Sequence, residues 1–241
     1  MKLYGLIGFP LDHSFSKKYF TEKFKLQGIE DCRYDLFPLT DLDELPALLN
    51  QNPNLVGLNV TIPYKKTVIK YLQQSFIPAE ISACNCIKIM EGNLAGYNTD
   101  ITGFERSLLS HVKDRNIQAL ILGNGGAAEA VKFVLHKMGI HFKIVSRNGN
   151  DDLTYKEFNK KIIQESLLII NTTPVGTFPE IDSCPDIPYQ FLTAQHILFD
   201  LIYNPAKTLF LKKGEEKGAT IINGSEMLII QAEESWKIWN S

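Results

Sequence analysis

The residues best suited to chemistry, by type and spacing, form a glycine-rich turn after the apolar run 119–122. Gly123, Gly125 and Ala128 follow the spacing G-x-G-x-x-A, and helix-forming sequence comes next. Gly123 can adopt the backbone of a tight turn, Gly125 lets the main chain approach a pyrophosphate, and Ala128 lets a helix pack closely on a strand. The free N–H groups at the start of that helix favour an anion. The turn indicates a dinucleotide site, and a turn needed only for packing is the alternative.

Polar side chains also follow the first and third strands that the sequence predicts. Ser14 and Ser16 lie where open α/β sheets bind ligands, and two hydroxyls at a helix start could hold a carboxylate. The alternative is that one of them only caps the helix. Lys65 and Lys66 follow the third strand, where a lysine is usually solvated surface. Pro63 fixes the turn just before them and favours a functional role.

Two further segments bear on ligand choice. Ser146 and Arg147 end the second strand of the nucleotide half, where an NAD site usually has an acid and an NADP site an arginine. Arg147 can therefore meet a 2′-phosphate. Asp100 begins the helix that runs to about His111, and capping that helix is its commoner role on spacing alone.

Composition sets the broad class of the protein. The chain has 241 residues, of which 44% are hydrophobic and 22% charged, and its formal net charge is −2. Nothing in this balance favours nucleic acid or an anionic membrane. The apolar N-terminal run is short and interrupted by glycine, and no apolar run approaches the ~20 residues of a membrane span. These observations predict a cytoplasmic globular protein without nucleic-acid or membrane partners.

The cysteines and histidines do not form a metal-binding pattern. There is no C-x-x-C pair and no histidine cluster, so a metal site is not expected. Reduced cysteines fit a reducing compartment. The four cysteines are Cys32, Cys84, Cys86 and Cys184.

Hydrophobic periodicity predicts an α/β domain in the N-terminal third. The expected strands are 2–7, 32–37 and 55–60, followed by a hairpin of 86–90 and 94–97. The expected helices are 17–26, 41–50 and one from the turn after the third strand to about residue 72.

The remaining chain alternates strands and helices as a nucleotide-binding half does. The expected strands are 119–122, 141–145, 167–170, 197–199 and 219–222. The expected helices are 100–111, 126–138, 208–217 and 225–239. Met227 and Gln231 share one face of the last helix.

Seen together, the motifs resemble the shikimate dehydrogenase family over nearly the whole chain. They occur in family order and in the expected strand–loop contexts. The motifs are Ser14-Phe15-Ser16, Asn59-Val60-Thr61-Ile62-Pro63-Tyr64-Lys65, Asn85, Gly96-Tyr97-Asn98-Thr99-Asp100, Gly123-Asn124-Gly125-Gly126-Ala127, Asn171-Thr172-Thr173-Pro174-Val175-Gly176, Asp200-Leu201-Ile202-Tyr203-Asn204-Pro205, and Gly224 with Met227-Leu228 and Gln231-Ala232.

The resemblance implies two domains and one reaction. The fold would be α/β, with an N-terminal substrate domain, a Rossmann-like nucleotide-binding domain and a cleft between them. The substrate domain would comprise residues 1–100 and 224–241, and the NADP-binding domain residues 101–223. The reaction would be NADP-dependent reduction of 3-dehydroshikimate to shikimate, by a monomer or homodimer acting on this small-molecule substrate.

The resemblance also implies the role of each site residue. Lys65 and Asp100 would form the catalytic pair. The residues expected to bind substrate are Ser14, Ser16, Thr61, Asn85, Asp100, Tyr203 and Gln231. The residues expected to bind the cofactor are Gly123, Gly125, Gly126, Ala127, Ser146, Arg147, Thr172, Gly224 and Met227. No residue is expected to bind a metal.

The chain departs from the family at the end of the second nucleotide-half strand. The second basic residue often found there is missing, and Asp151 and Asp152 lie nearby. Because carboxylates oppose a phosphate dianion, this weakens the expected preference for NADP. The nearest alternative is a quinate-preferring or NAD-dependent relative with the same fold. A non-catalytic, nucleotide-sensing regulator is the alternative from another class.

Overall fold

The computed structural model describes residues 1–11, 14–147 and 149–241, and their contacts divide the chain into two compact units. Unit 1 comprises Met1–Thr99 and Ala232–Ser241, and unit 2 comprises Asp100–Gln231. The sequence predicts the last domain boundary at 224, before the final helix, whereas the contacts place it inside that helix. The division into substrate and cofactor domains stays a prediction.

Unit 1 is built on a six-stranded mixed sheet. Its strands are β1 (Lys2–Gly8), β2 (Cys32–Pro38), β3 (Leu55–Val60), β4 (Gln74–Ser75), β5 (Cys86–Met90) and β6 (Asn93–Tyr97), in the order β2-β1-β3-β5-β6-β4. Its helices are α1 (Phe15–Leu26) and α2 (Leu45–Gln51). The strand β1 pairs in parallel with both β2 and β3, and it is buried from its second residue onward. A nearly continuous apolar strand of this kind is typical of parallel sheets covered on both faces.

The last residues of the chain complete the core of unit 1. The ring of Trp239 lies against Gly57 of β3, where an added Cβ would come within 2.5 Å of it. Its indole Nε1 donates to the Ile87 carbonyl at 3.0 Å. Tyr4 stacks on the same ring with centroids 5.0 Å apart. Aromatic burial of this size is a main source of packing energy, so these residues belong to the unit 1 core.

The segment after β3 differs from the expected helix. The prediction of a helix extending to about Leu72 is wrong, because the chain forms a 3₁₀ helix over Thr67–Tyr71 and then enters the short strand β4. Thr67, Val68 and Ile69 are β-branched, which disfavours an extended α-helix there. Short 3₁₀ segments of this kind commonly serve as connectors.

Unit 2 is built on a six-stranded sheet in which every pair is parallel. Its strands are β7 (Gln118–Leu122), β8 (His141–Ser146), β9 (Leu153–Thr154), β10 (Leu168–Asn171), β11 (Ile197–Asp200) and β12 (Thr220–Ile222), in the order β12-β11-β10-β7-β8-β9. Counted within the unit, this order is 6-5-4-1-2-3, the order of the dinucleotide-binding fold. The α/β prediction with a Rossmann-like half is therefore confirmed.

Helices precede, connect or follow these strands. They are α3 (Asp100–Leu109), α4 (Gly126–Lys137), α5 (Lys160–Glu165), α6 (Leu209–Glu215) and α7 (Ser225–Asn240). The two-residue strand β9 and the six-residue helix α5 are absent from the sequence prediction, because elements this short carry too little periodicity to detect. In the described part of the chain, no helix is long and apolar enough to cross a membrane.

A buried carboxyl joins the ends of β10 and β11. Asp200 is fully buried and accepts hydrogen bonds from Asn171 Nδ2 at 3.0 Å, Thr208 Oγ1 at 2.6 Å and the Ile202 amide at 3.1 Å. Burial raises the pKa of Asp200 to about 6, although these three donors act in the opposite direction. The contacts hold together the strand ends from which Thr172 and Tyr203 follow.

The raised pKa of Asp200 predicts a stability effect with a definite sign. The folded state binds a proton between pH 4 and 6 that the unfolded state lacks, so stability contributed by this group falls as pH rises through that range. Relative to Asp200→Asn, we expect the wild type to lose about 1 kcal/mol of unfolding free energy between pH 5 and pH 7. Urea unfolding at both pH values measures the difference. An identical difference at both pH values would contradict a perturbed Asp200.

That measurement needs a signal that includes unit 2. Both tryptophans of the chain, Trp236 and Trp239, belong to unit 1. Indole fluorescence therefore reports on unit 1, and circular dichroism is the appropriate signal for a change at Asp200.

Candidate functional site

The glycine turn lies between the two central strands of unit 2. Gly123 follows β7 with a φ of 99°, in the region that favours glycine, and an added Cβ would lie 2.7 Å from Thr173 Cγ2. The Thr172 hydroxyl donates to the Leu122 carbonyl at 2.8 Å. From β7 the sheet continues through β8 and β9 on one side and through β10, β11 and β12 on the other. The turn after β7 therefore lies at the topological switch point, where folds of this kind bind ligands.

The start of α4 has room for an anion. Gly125 occupies the N-cap position, and no atom lies within 4 Å of the place where its Cβ would be. Gly126 and Ala127 then open the helix, so their amides lie among the first N–H groups that the helix itself cannot satisfy. Ala128 is fully buried against the core. The cradle fits the pyrophosphate of a dinucleotide in space and in its set of N–H donors.

The end of β8 offers a hydroxyl and a cation. Ser146 Oγ is buried and has no hydrogen-bond partner in the described part of the chain, while Arg147 is exposed. The Gly123 amide donates to the Val145 carbonyl at 2.8 Å, which holds the glycine turn beside this strand end. An unpaired buried hydroxyl is unfavourable until a ligand or water satisfies it. Asn148, the third residue of this segment, lies outside the described residues.

The two aspartates beyond Arg147 are held in different places. Asp151 Oδ1 accepts a hydrogen bond from Asn124 Nδ2 at 2.7 Å, so this carboxylate lies at the glycine turn itself. Asp152 Oδ2 instead accepts from the Ile144 amide of β8 at 2.8 Å. Of the two, the structure therefore ties Asp151 to the predicted cofactor loop and Asp152 to the strand.

The start of α7 approaches β11 closely. Gly224 donates its amide to the Ile202 carbonyl at 3.0 Å, and an added Cβ would lie 2.1 Å from the Leu201 carbonyl oxygen. Only glycine fits this contact. Met227, one turn later, is buried. The predicted nicotinamide-side residues Gly224 and Met227 thus lie on a segment fixed against the carboxyl end of β11.

In unit 1, Ser14 lies at the start of α1 with an unpaired hydroxyl in the described part of the chain. It occupies the N-cap position of α1 but makes no capping hydrogen bond, and its buried Oγ has no partner in the described residues. The capping alternative is therefore not what the structure shows for Ser14. Ser16 is 9% exposed in the first turn of α1 and interacts with the Tyr34 hydroxyl. Two hydroxyls at one helix start can donate to a carboxylate.

The turn that carries Lys65 is fixed at several points. Gly8 approaches it so closely that an added Cβ would lie 2.4 Å from Thr61 Cγ2. The Tyr64 hydroxyl donates to the Leu39 carbonyl at 2.7 Å, and the Cys84 amide donates to the Lys65 carbonyl at 2.7 Å. The Lys65 side chain is partly buried. Its backbone is therefore positioned, unlike that of an ordinary surface lysine.

The other predicted polar residues are mostly buried. Asn85 is 3% exposed and Asp100 5% exposed, and α3 begins at Asp100 itself. Gln231 is also buried, with Nε2 donating to the Leu228 carbonyl at 2.9 Å, and Tyr203 is partly exposed. Buried polar side chains are functional candidates because their burial costs free energy unless hydrogen bonds are made.

The predicted residues divide between the two units. Unit 1 carries Ser14, Ser16, Thr61, Lys65 and Asn85. Unit 2 carries Asp100, Tyr203, Gln231 and all the predicted cofactor residues. In the described residues, no group of three or more His, Cys, Asp or Glu side chains is arranged to hold a metal ion.

Sequence reasoning assigned no role to four residues at or beside the predicted site. It gave no role to Tyr34 or Asn59, which lie next to predicted substrate residues, or to Asn124, which holds Asp151. Asn98 was also unassigned, although its Oδ1 is buried without a partner in the described residues. Asn59 and Asn98 fall inside quoted motifs, which was the available signal. Tyr34 has none, because its partner lies 25 residues away.

Comparisons with known proteins extend over the whole chain. Residues 6–87 match the family model described as the shikimate dehydrogenase substrate binding domain. The NADP⁺-dependent shikimate dehydrogenase of Methanococcus maripaludis is 37% identical over 258 residues, which cover 99% of this chain and 91% of that protein.

Solved structures agree with this relationship. A shikimate dehydrogenase in complex with NADP⁺ superposes with a TM-score of 0.86 at 32% identity, covering 99% of this chain and 90% of that one. The Listeria monocytogenes enzyme in complex with shikimate and NAD gives 0.85 at 28% identity, covering 100% and 92%. The resemblance found in the sequence is confirmed, and the chain belongs to the shikimate dehydrogenase family.

Proposed function

We propose that this protein is an NADP-dependent shikimate dehydrogenase that reduces 3-dehydroshikimate to shikimate, a step in the biosynthesis of chorismate and the aromatic amino acids. The observation that carries the proposal is the open glycine turn at the switch point of the unit 2 sheet, in a chain of this family. The sequence further leads us to propose a cytoplasmic enzyme that acts as a monomer or homodimer.

Unit 2 supplies the cofactor site in this proposal. NADPH, when bound, supplies the hydride that reduces the ketone. The amides of Gly125, Gly126 and Ala127 bind the pyrophosphate, since they lie at the start of α4, where the helix leaves N–H groups unpaired. Ser146 and Arg147 bind the 2′-phosphoribose, and Arg147 supplies the positive charge. Thr172, Gly224 and Met227 lie toward the nicotinamide, by resemblance to the family.

Unit 1 supplies most of the substrate site. Ser14 and Ser16 bind the carboxylate, a role that the unpartnered Ser14 hydroxyl supports, and Tyr203 of unit 2 assists them by resemblance. Thr61, Asn85, Asp100 and Gln231 bind ring hydroxyls. The cyclohexene ring is thereby oriented by its polar substituents.

Lys65 supplies the proton, with Asp100 as its partner in the catalytic pair. An ammonium group beside the carbonyl stabilises the alkoxide that develops as hydride arrives, and it then protonates that oxygen. The fixed backbone of the Thr61–Lys65 turn supports this role, because a catalytic group must be held in place before reaction.

A cofactor-by-substrate matrix tests the proposal. Shikimate and quinate are each assayed with NADP and NAD, and reduced nicotinamide is followed by absorbance. We expect the highest kcat/KM for shikimate with NADP. The highest value for quinate or for NAD would instead favour a quinate-preferring or NAD-dependent enzyme of the same fold. The NAD arm matters because the Asp151 carboxylate at the glycine turn opposes the extra phosphate of NADP. No turnover in any combination would favour a regulator.

Removing the Ser14 hydroxyl should weaken substrate binding. A charge-assisted hydrogen bond to a carboxylate is worth roughly 1.5–3 kcal/mol. We expect Ser14→Ala to raise KM for shikimate about tenfold or more, with a smaller loss of kcat. Initial rates at saturating NADP measure both constants, and an unchanged KM would remove the carboxylate from this loop.

Removing the Lys65 ammonium should impair chemistry more than binding. We expect Lys65→Ala to lose about 10²–10⁴-fold in kcat while shikimate still binds. Lys66→Ala, which removes the adjacent exposed ammonium, is the matched control and should retain near-normal kcat. A Lys65→Ala enzyme that turns over normally but binds poorly would make Lys65 a binding residue only.

Removing Arg147 should bring the two cofactors close to parity. One charge-assisted contact of roughly 1.5–3 kcal/mol corresponds to about 10–150-fold in affinity. We expect Arg147→Ala to lower kcat/KM for NADP by that order and to change the NAD value little, at fixed ionic strength. Arg115→Ala, exposed before the amino end of β7, controls for general loss of charge. A ratio that the Arg147 variant leaves unchanged would refute the assignment.

A further inference from the structure

A connected set of buried polar side chains in unit 1 leads to Asn85. Its members, here called the Asn59 network, are Tyr34, Asn59, Ser235, Thr99 and Asn85. Each is at most 5% exposed. They come from β2, β3, α7 and the segments flanking the β5–β6 hairpin. Several parts of the chain thus place hydrogen-bonding groups around one predicted substrate residue.

The first half of the Asn59 network fixes the orientation of the Asn59 amide. Tyr34 Oη donates to Asn59 Oδ1 at 2.9 Å. On its other side, Asn59 Nδ2 donates to Ser235 Oγ at 3.0 Å and to the Asn85 carbonyl at 3.3 Å. Burial raises the pKa of Tyr34, against a smaller opposite effect of Ser16, so the phenol remains a donor. Rotating the amide would bring Asn59 Oδ1 against the Asn85 carbonyl oxygen, two acceptors with no hydrogen between them, and is unfavourable.

The second half fixes the orientation of the Asn85 amide. Ser235 Oγ lies 3.2 Å from Thr99 Oγ1. The Thr99 amide donates to Asn85 Oδ1 at 2.7 Å, and Asn85 Nδ2 donates to Thr99 Oγ1 at 3.0 Å. The Thr99 hydroxyl also donates to Asn85 Oδ1, at 3.3 Å, so these bonds occupy both acceptor sites of the Asn85 oxygen and one of its two Nδ2 hydrogens. The group that Asn85 can offer to a ligand is therefore its second N–H.

We propose that Tyr34 and Asn59 are positioning residues that act through Asn85, fixing its amide so that it presents a donor, and not an acceptor, to a ring oxygen of the substrate. This inference rests on the proposed function. A fixed N–H donor selects a substrate oxygen that can accept a hydrogen bond. It also lowers the entropy cost of binding, because the amide does not have to be ordered when the substrate arrives. In this proposal Tyr34 does not touch the substrate. Its hydroxyl also contacts Ser16, and a double-mutant cycle with Asn85→Ala separates an effect through Asn85 from one through Ser16.

Tyr34→Phe tests the proposal because it removes the hydroxyl and keeps the ring, which stacks on Phe20 with centroids 4.6 Å apart. We expect KM for shikimate to rise about three- to tenfold, the effect of one buried hydrogen bond. The kcat should stay within about twofold and KM for NADP should not change. Ser235→Ala, which breaks the link between Asn59 and Thr99, should give the same pattern.

Tyr4→Phe is the matched control. Tyr4 is equally buried in the unit 1 aromatic cluster, but its hydroxyl bonds to Asn240 at 3.4 Å, outside the Asn59 network. This variant should leave KM for shikimate unchanged. An equal rise in KM for Tyr4→Phe and Tyr34→Phe would indicate general loosening of the core and overturn the proposal.

A double-mutant cycle separates positioning from packing. If Tyr34 acts through Asn85, then Tyr34→Phe should raise KM in the wild type and have no further effect in Asn85→Ala. If Tyr34→Phe raises KM by the same factor in the wild type and in Asn85→Ala, the inference is refuted, while the proposed function stands as long as the wild type reduces 3-dehydroshikimate. A wild type inactive with every substrate and cofactor would instead refute the proposed function and this inference with it.

Discussion

The carboxyl edge of the unit 2 sheet depends on one backbone conformation, that of Gly123. Its φ of 99° turns the chain out of β7 directly against Thr172 and Thr173, and any side chain would collide with them. Because all strands of unit 2 run in parallel, their carboxyl ends meet at one edge of the sheet. The tight turn at the centre of that edge leaves the start of α4 open to an anion.

Buried hydrogen bonds fix side chains within each unit. In unit 2, Asp200 joins Asn171 to Thr208 and so fixes the ends of β10 and β11. In unit 1, Asn59 of β3 joins Tyr34 of β2 to Ser235 of α7. Such side chains are costly to bury and stabilising only when every partner is present. They therefore specify one arrangement of the loops more strictly than apolar packing does.

The sequence was sufficient where a local pattern carries the information. The glycine turn, the parallel strands and the family motifs all follow from residues close together in the chain. The Asn59–Ser235 contact joins residues 176 positions apart, and no local pattern reveals it. Asp151 and Asp152 are a second case that the sequence could not resolve. The two carboxylates are adjacent and chemically identical, yet Asp151 accepts from Asn124 and Asp152 from the Ile144 amide. The 3₁₀ segment after β3 is a third case, where β-branched residues prevailed over the expected helix.

The path of α7 has a consequence for synthesis. Ala232–Ser241 belong to unit 1, and Trp239 fills the space against Gly57. The core of unit 1 is therefore incomplete until these residues have been synthesised. Unit 2, by contrast, is a single continuous stretch, Asp100–Gln231. On the ribosome, where domains commonly fold from the N-terminus onward, the order for this chain is reversed. The second unit can mature first, and the first then waits for the last turns of α7 to emerge.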